Sequence, residues 1–259
     1  MATHQDLIRG QFTKQAVPFA TDEGIKDEEA LTLTVEFTGA GPQDTVLDVA
    51  CGPGLVVGAF APVVQHATGL DLTPAMIDQA RALQQAKGLA NVTWQVGDVL
   101  PLPYPDASFS IVTCRYAFHH FPAPHAVLAE MKRVCRPEGK VVVIDVATSP
   151  DPDKGAAYDQ MEKLRDPSHV HGLTLAELEV VFDQTGLPAP RQTFYGVKTE
   201  LEDLLRGSFP NPGDADKVRQ MFLDALETDG LGVGARRLDG KIRFTYPIVI
   251  LCSDGVVPA

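Results

Sequence analysis

Apolar positions along this chain follow two alternating patterns, short continuous runs and longer stretches with helical spacing. The strand-like segments are Thr45 to Ala50, His66 to Leu70, Asn91 to Val96, Phe109 to Cys114 and Lys140 to Val146; the first is apolar on both faces and the last almost pure valine and isoleucine. Runs of four to eight such residues read as strands buried on both faces. Between them lie helical patterns at about residues 24–38, 55–60, 74–87 and 124–135. Acidic Asp27-Glu28-Glu29 suits a helix's first turn, and Thr73-Pro74 supplies an N-cap followed by proline at the first helical position. Strands alternating with helices at this spacing predict a parallel, doubly wound sheet.

The regularity breaks after Ala147. Residues 148–173 are rich in Asp, Pro and His and exceed a normal connection, and residues 197–240 form a second long insertion with helical spacing at Leu201, Leu204, Leu205 and at Val218, Met221, Phe222, Leu226. A helix over about 175–185, a strand over 189–195 and a last strand over 243–252 separate and follow these insertions. The first 20 residues, with Leu7-Ile8, Phe12, Val17 and Phe19 among polar neighbours, suit a short helix or arm folded over something. The expected organisation is one domain over 1–259. Its core covers about 30–147, 174–196 and 243–253, and a lid comes from 1–25, 148–173 and 197–240.

Composition narrows the partners. A formal net charge of −12 argues against nucleic acid, whose binding needs a basic footprint. No window approaches the roughly 20 apolar residues of a membrane span, and the start Met1-Ala2-Thr3-His4 lacks the basic and apolar regions of a secretory signal. The cysteines Cys51, Cys114, Cys135 and Cys252 form no Cys-x-x-Cys pair, which points to free thiols, a reducing cytoplasm and no zinc site. Monomer and homodimer both stay open.

The stretch Asp48-Val49-Ala50-Cys51-Gly52-Pro53-Gly54-Leu55 carries the first chemistry. It turns from a strand through two glycines into a helix start, at the strand end where open α/β sheets bind nucleotide-like ligands. A dinucleotide fingerprint needs G-x-G-x-x-G, but here Gly58 falls one residue too late. Asp48 at the strand end would repel a pyrophosphate and suits a cationic amino group instead. A nicotinamide dehydrogenase is thereby disfavoured.

The run resembles the first motif of class I S-adenosylmethionine (SAM) methyltransferases, an acid followed by alternating glycines, with Ala50 in place of the first glycine. The resemblance continues through Gly69-Leu70-Asp71-Leu72-Thr73-Pro74-Ala75-Met76, Gly97-Asp98-Val99, Leu102 to Phe109 and Leu128 to Val134. Those segments are similar to the small-molecule subgroup related to ubiquinone/menaquinone-biosynthesis methyltransferases. Residues 114–121 and 164–170 are similar to an uncharacterised bacterial branch of that group. The resemblance implies a Rossmann-like sheet of seven strands, the last antiparallel, and methyl transfer from SAM to a small molecule, leaving S-adenosylhomocysteine. It also implies cofactor contacts. Backbone from Ala50 through Gly52 to Gly54 would lie under the methionine part, with Asp48 at its amino group. Asp71, 23 residues after Asp48, would take the ribose hydroxyls, Leu72 and Met76 would sandwich the adenine, and Asp98 would accept from its exocyclic amine. Gly97, Val99 and Cys114 complete that set.

The acceptor end is less determined. His119 and His120 follow the fourth strand, where the methyl is presented, and His169 and His171 lie in the first insertion, together with Arg115, Tyr116 and Arg165. A histidine has the right proton affinity to serve as general base, which makes His119, His120, Tyr116, Arg115 and His169 the catalytic candidates. Packing around the cofactor is the competing role for the histidine pair, and a metal-ligand role lacks a carboxylate at clear ligand spacing. Arg115 or Arg165 could clamp an anionic substrate group, or pair with Asp145, Asp151 or Asp166. A SAM-fold enzyme with a non-methylating reaction, or one using another methyl carrier, is the alternative activity.

Overall fold

A computed structural model describes residues 3–21 and 26–255. Residues 1–2 and 22–25 of the expected lid, and the first two residues of the helix expected from 24, lie outside the described residues. The strands in chain order are β1 (Thr45–Val49), β2 (His66–Asp71), β3 (Val92–Val96), β4 (Phe109–Arg115), β5 (Cys135–Val146), β6 (Arg191–Glu200), β7 (Arg236–Leu238) and β8 (Lys241–Asp254). They form one sheet in the order β3-β2-β1-β4-β5-β8-β6. The first five are parallel, and β8 runs antiparallel between β5 and β6. The seven expected strands are all present, with the last in the chain antiparallel. The short β7, paired to β8, is an addition.

Side chains alternate between two buried layers, as a doubly covered sheet requires. Val46, Ile111, Val142, Ile144 and Ile250 pack with Leu31 of α2 (Glu28–Thr38) and with Val56 and Val57 of α3 (Leu55–Phe60). Their neighbours Leu47, Val112, Val143 and Leu251 pack instead with α5 (Pro124–Val134) and α7 (Leu175–Gln184) through Leu128, Met131, Leu178 and Phe182. Strand order reverses between β1 and β4, so the carboxyl ends of those strands open a crevice at the switch point.

Several boundaries differ from expectation for identifiable reasons. β5 starts at Cys135 rather than Lys140, and β6 runs to Glu200, because both gain long ladders. Residues 148–173 contain a 14-residue helix, α6 (Pro152–Arg165), which their composition concealed. Its start is nevertheless well made. The Asp151 carboxylate accepts from Asp153 N at 3.0 Å and Lys154 N at 3.4 Å, with Pro152 at the first helical position. The second insertion divides into α8 (Leu201–Ser208) and α9 (Asp214–Thr228). Phe222 of α9 packs its ring 4.6 Å from that of Phe244 on β8, so this half buttresses the sheet. Thr73 occupies the N-cap of α4 (Pro74–Lys87), but its side chain makes no capping bond there. None of the helices described is long and apolar enough to cross a membrane.

Candidate active site

The crevice holds a cavity of about 300 Å³. Asp48, Ala50, Gly52, Asp71, Leu72, Met76, Asp98 and Val99 line it, and so do Arg115, Tyr116 and His120. Helix α1 (His4–Thr21) contributes His4, Gln5, Ile8, Phe12 and Phe19, contacts that the first 20 residues suggested only as an arm. Three residues expected at the cofactor do not line it. Cys114 is fully buried within β4 because its side chain points into the α5 layer. Gly97 lies against Leu70, where an added Cβ would approach to 3.2 Å. Gly54 is required by packing: at φ +81°, its Cβ would stand 2.4 Å from the Trp94 ring.

The glycine turn is held by the second acid. Asp71 Oδ2 accepts from Gly52 N and Oδ1 from Thr73 N, each at 2.8 Å. Burial raises the Asp71 carboxyl even so. Ala50 takes φ +55°, which explains why related turns favour glycine there; the conformation costs a residue with a Cβ on the order of 1–2 kcal/mol. Asp48, 1% exposed, accepts from Thr113 Oγ1 at 2.8 Å. Burial pushes its carboxyl to about 7, against the opposing influence of Thr113 and Arg115. A buried acid in this state favours a cationic partner. Asp98 accepts from Leu100 N at 3.3 Å and from the Gln5 side-chain amide.

Tyr116, at φ +57°, follows β4 in a left-handed conformation of the kind found where structure serves a site. Its hydroxyl meets Tyr195 Oη at 2.6 Å and accepts from Arg115 at 3.1 Å, while the Arg115 guanidinium lies 4.1 Å from the Tyr116 ring centre.

The two adjacent histidines differ sharply. His119 donates from Nδ1 to Asp145 Oδ1 at 2.7 Å, and Asp145 also accepts from Phe118 N and Val146 N, both at 2.7 Å. Burial alone would lower the His119 proton affinity, but the Asp145 carboxylate outweighs it and raises it above the usual value. The same pairing holds buried Asp145 below the ordinary carboxylate range, against its own desolvation. His120 donates from Nδ1 to the Ser168 carbonyl at 3.0 Å. Burial, reinforced by His119, keeps His120 neutral with Nε2 as a lone-pair nitrogen.

A second cavity of about 130 Å³ shares Phe19, Tyr116 and His120 with the first and adds His119, Tyr158, Glu162, Arg165 and Tyr246. His169 lines neither cavity. It donates from Nε2 to Asp159 Oδ1 at 2.8 Å, on a carboxylate shared with His171 at 2.6 Å. Arg165 pairs with none of the three acids considered for it. Its Nε and Nη2 reach Glu162 Oε2 at 2.9 and 2.5 Å, because the two residues lie one turn apart on α6. Glu162, His4 and Gln5 are cavity residues that the sequence reading did not name, and Asp145, an acid near the end of β5, entered it only as a possible partner for an arginine.

A family model described as methyltransferase domain matches residues 47–143. The chain is 35% identical over 212 residues to the uncharacterised methyltransferase YcgJ of Bacillus subtilis, covering 82% of both proteins. It is 31% identical over 231 residues to the ubiquinone/menaquinone biosynthesis C-methyltransferase UbiE of Bdellovibrio bacteriovorus, covering 87% of both. The crystal structure of YcgJ superposes with a TM-score of 0.80 at 27% identity, covering 90% of this chain and 100% of that one. A geranyl diphosphate C-methyltransferase from Streptomyces coelicolor, solved with S-adenosyl-L-homocysteine, shares the fold at a TM-score of 0.62 and 16% identity, over 88% of this chain and 76% of its own.

Proposed function

The chain belongs to the SAM-dependent methyltransferases, and from that premise we propose that it methylates a small-molecule acceptor within one domain covered by α1, α6 and α8. The observation that carries this reading is the crevice itself: two acids at the ends of adjacent strands, a left-handed turn and an apolar wall line one cavity that adjoins a second.

The residues fit the cofactor. Asp48 is a buried carboxyl raised to about 7, in want of a cation such as the methionine ammonium. Asp71 keeps further acceptor capacity on both oxygens for a ribose diol, since each carboxylate oxygen accepts more than one bond. Leu72, Met76 and Val99 supply the apolar walls for adenine. SAM supplies a methyl already activated on its sulfonium. The protein's task is then alignment, which supplies on the order of 7–11 kcal/mol of barrier reduction when the reacting atoms are held in line. That Tyr116 and His120, with Phe19, line both cavities supports an aligning role for them. Four free, buried cysteines support a reducing, cytoplasmic setting.

Isothermal titration tests the cofactor end: S-adenosylhomocysteine binds the wild type, and Asp71→Ala weakens it at least tenfold. Equal affinity in the two proteins would remove Asp71 from the site. Small-molecule specificity is tested by incubation with SAM and a metabolite extract freed of macromolecules. The low-molecular-mass fraction should gain the methyl group, whereas labelling only of protein or RNA in a whole extract would refute it.

A further inference from the structure

The second cavity combines two properties that the methyl-transfer reading does not by itself require. Each buried charge in it is already matched. Arg165 is held by Glu162 and donates from Nη1 to Ser208 Oγ at 3.0 Å. Glu162 accepts also from the Tyr246 hydroxyl at 2.8 Å. Asp166 accepts from Gln15 Nε2 at 3.1 Å, Ser168 N at 2.9 Å and Ser168 Oγ at 2.6 Å. The remaining wall is mostly apolar or aromatic, with Phe19, Tyr116, Tyr158 and Tyr246 around aliphatic Val146, Val197, Leu204 and Ile248; polar Thr199 also lines it, and so does the exposed Asp203, whose carboxylate accepts from Arg206 at 2.7 Å. An anion or cation entering here would lose its hydration without gaining an uncommitted buried counter-charge among the described residues.

The second property is a set base. Asp145 fixes the proton of His119 on Nδ1, which leaves Nε2 as the exchanging nitrogen of a side chain that lines this cavity. The arrangement is a carboxylate–imidazole dyad, in which the acid orients the ring and stabilises the imidazolium.

We propose that the second cavity seats the methyl acceptor, that the acceptor is an uncharged, ring-sized molecule with an O–H or N–H nucleophile, and that His119 takes its proton. The proposal rests on the methyl-transfer reading above. In the step, the bond from nucleophile to methyl forms as the methyl–sulfur bond breaks, and that bond's electron pair stays on sulfur. The nucleophile's proton passes to His119 Nε2, and the resulting imidazolium is paired with Asp145 until the proton leaves to solvent. Asp145 is a positioning residue. The groups around His119 are Asp145 on β5, Glu162 and Arg165 on α6, neighbouring His120, and His169, whose ring lies 5.6 Å away.

The test uses the full chain saturated with S-adenosylhomocysteine and three probes of one shape: p-cresol, p-toluate and 4-methylbenzylammonium. By calorimetry p-cresol binds at least tenfold more tightly than either ion, and Leu204→Trp, which fills the cavity, abolishes that binding while S-adenosylhomocysteine still binds. Equal or tighter binding of an ion, no p-cresol binding to the saturated protein, or indifference to Leu204→Trp overturns the assignment of acceptor and cavity. Failure of S-adenosylhomocysteine to bind would instead strike the cofactor reading. For the base, a nitrogen-15 NMR titration of His119 shows a midpoint above that of free histidine, and Asp145→Asn lowers its proton affinity at least tenfold. An unchanged midpoint in Asp145→Asn overturns the dyad; if that variant does not fold, a wild-type midpoint at or below free histidine does so.

Discussion

The side-chain amide of Gln5 on α1 donates to the carboxylate of Asp98, 93 residues away at the end of β3. A primary amide and the exocyclic amine of adenine both present N–H donors, so Gln5 takes up one of the acceptor positions on the carboxylate expected to meet the cofactor's base. His4 strengthens the same attachment by donating from Nε2 to the His120 carbonyl at 2.8 Å. Helix α1 is thus fastened at both the Asp98 side and the His120 side of the crevice.

Removal of Gln5 should therefore favour the cofactor. An exchanged hydrogen bond is worth about 0.5–1.5 kcal/mol net, so Gln5→Ala is expected to bind S-adenosylhomocysteine several-fold more tightly. Calorimetry on the two proteins at one pH measures this directly. Weaker binding by Gln5→Ala would mean that the Gln5–Asp98 contact belongs to the loaded state and helps to hold the ligand.

Asp48 makes cofactor binding sensitive to pH. With its carboxyl at about 7, the ligand-free protein is largely protonated at pH 6 and largely ionised at pH 8. A cationic ligand selects the ionised form, so binding at pH 6 should release close to one proton and binding at pH 8 almost none. Affinity should fall about tenfold per pH unit, roughly 1.4 kcal/mol, on acidification below 7. Calorimetry in buffers of different ionisation enthalpy reads the proton directly, and Asp48→Asn should abolish the release. The stability of the ligand-free protein carries the opposite sign. A folded-state value above the ordinary 3.8 stabilises fully below about 4 and is lost as pH rises through about 7. The thermal midpoint of the wild type should accordingly drop relative to Asp48→Asn between pH 6 and pH 8.

Gly54 should tolerate no side chain while Trp94 is present. Its left-handed φ of +81° and the 2.4 Å approach of an added Cβ to the ring act together. Left-handed strain of about 1–2 kcal/mol and overpacking of about 1–3 kcal/mol predict that Gly54→Ala loses about 2–5 kcal/mol in denaturant unfolding. Adding Trp94→Leu should recover the overpacking part alone. Full additivity of the two losses would show that the ring is not what excludes the Cβ.

Asp48, the glycine turn, Asp71 and the alternation of strands and helices were all legible because each is a local signal. An apolar run with an acid at its end and a positive-φ residue after it needs only a few consecutive residues to specify it. The roles of His119 and His120 were not legible. Their partners, Asp145 and the Ser168 carbonyl, lie 26 and 48 positions along the chain. Two adjacent histidines with the same local surroundings therefore end in opposite states, one raised by a carboxylate and one held neutral by burial. Cys114 was misjudged for a related reason. Side chains alternate across a strand, and the layer that each face meets is set by the helices above and below.

By itself, then, the sequence determined the architecture, the glycine turn and paired acids that line the crevice, and the class of reaction, because those depend on backbone conformation and residue spacing within single strand–turn–helix units. Only the tertiary structure decided which histidine is paired with a carboxylate and that α1 reaches across to Asp98. Each of these depends on groups brought together from distant parts of the chain, and no short stretch of it encodes them.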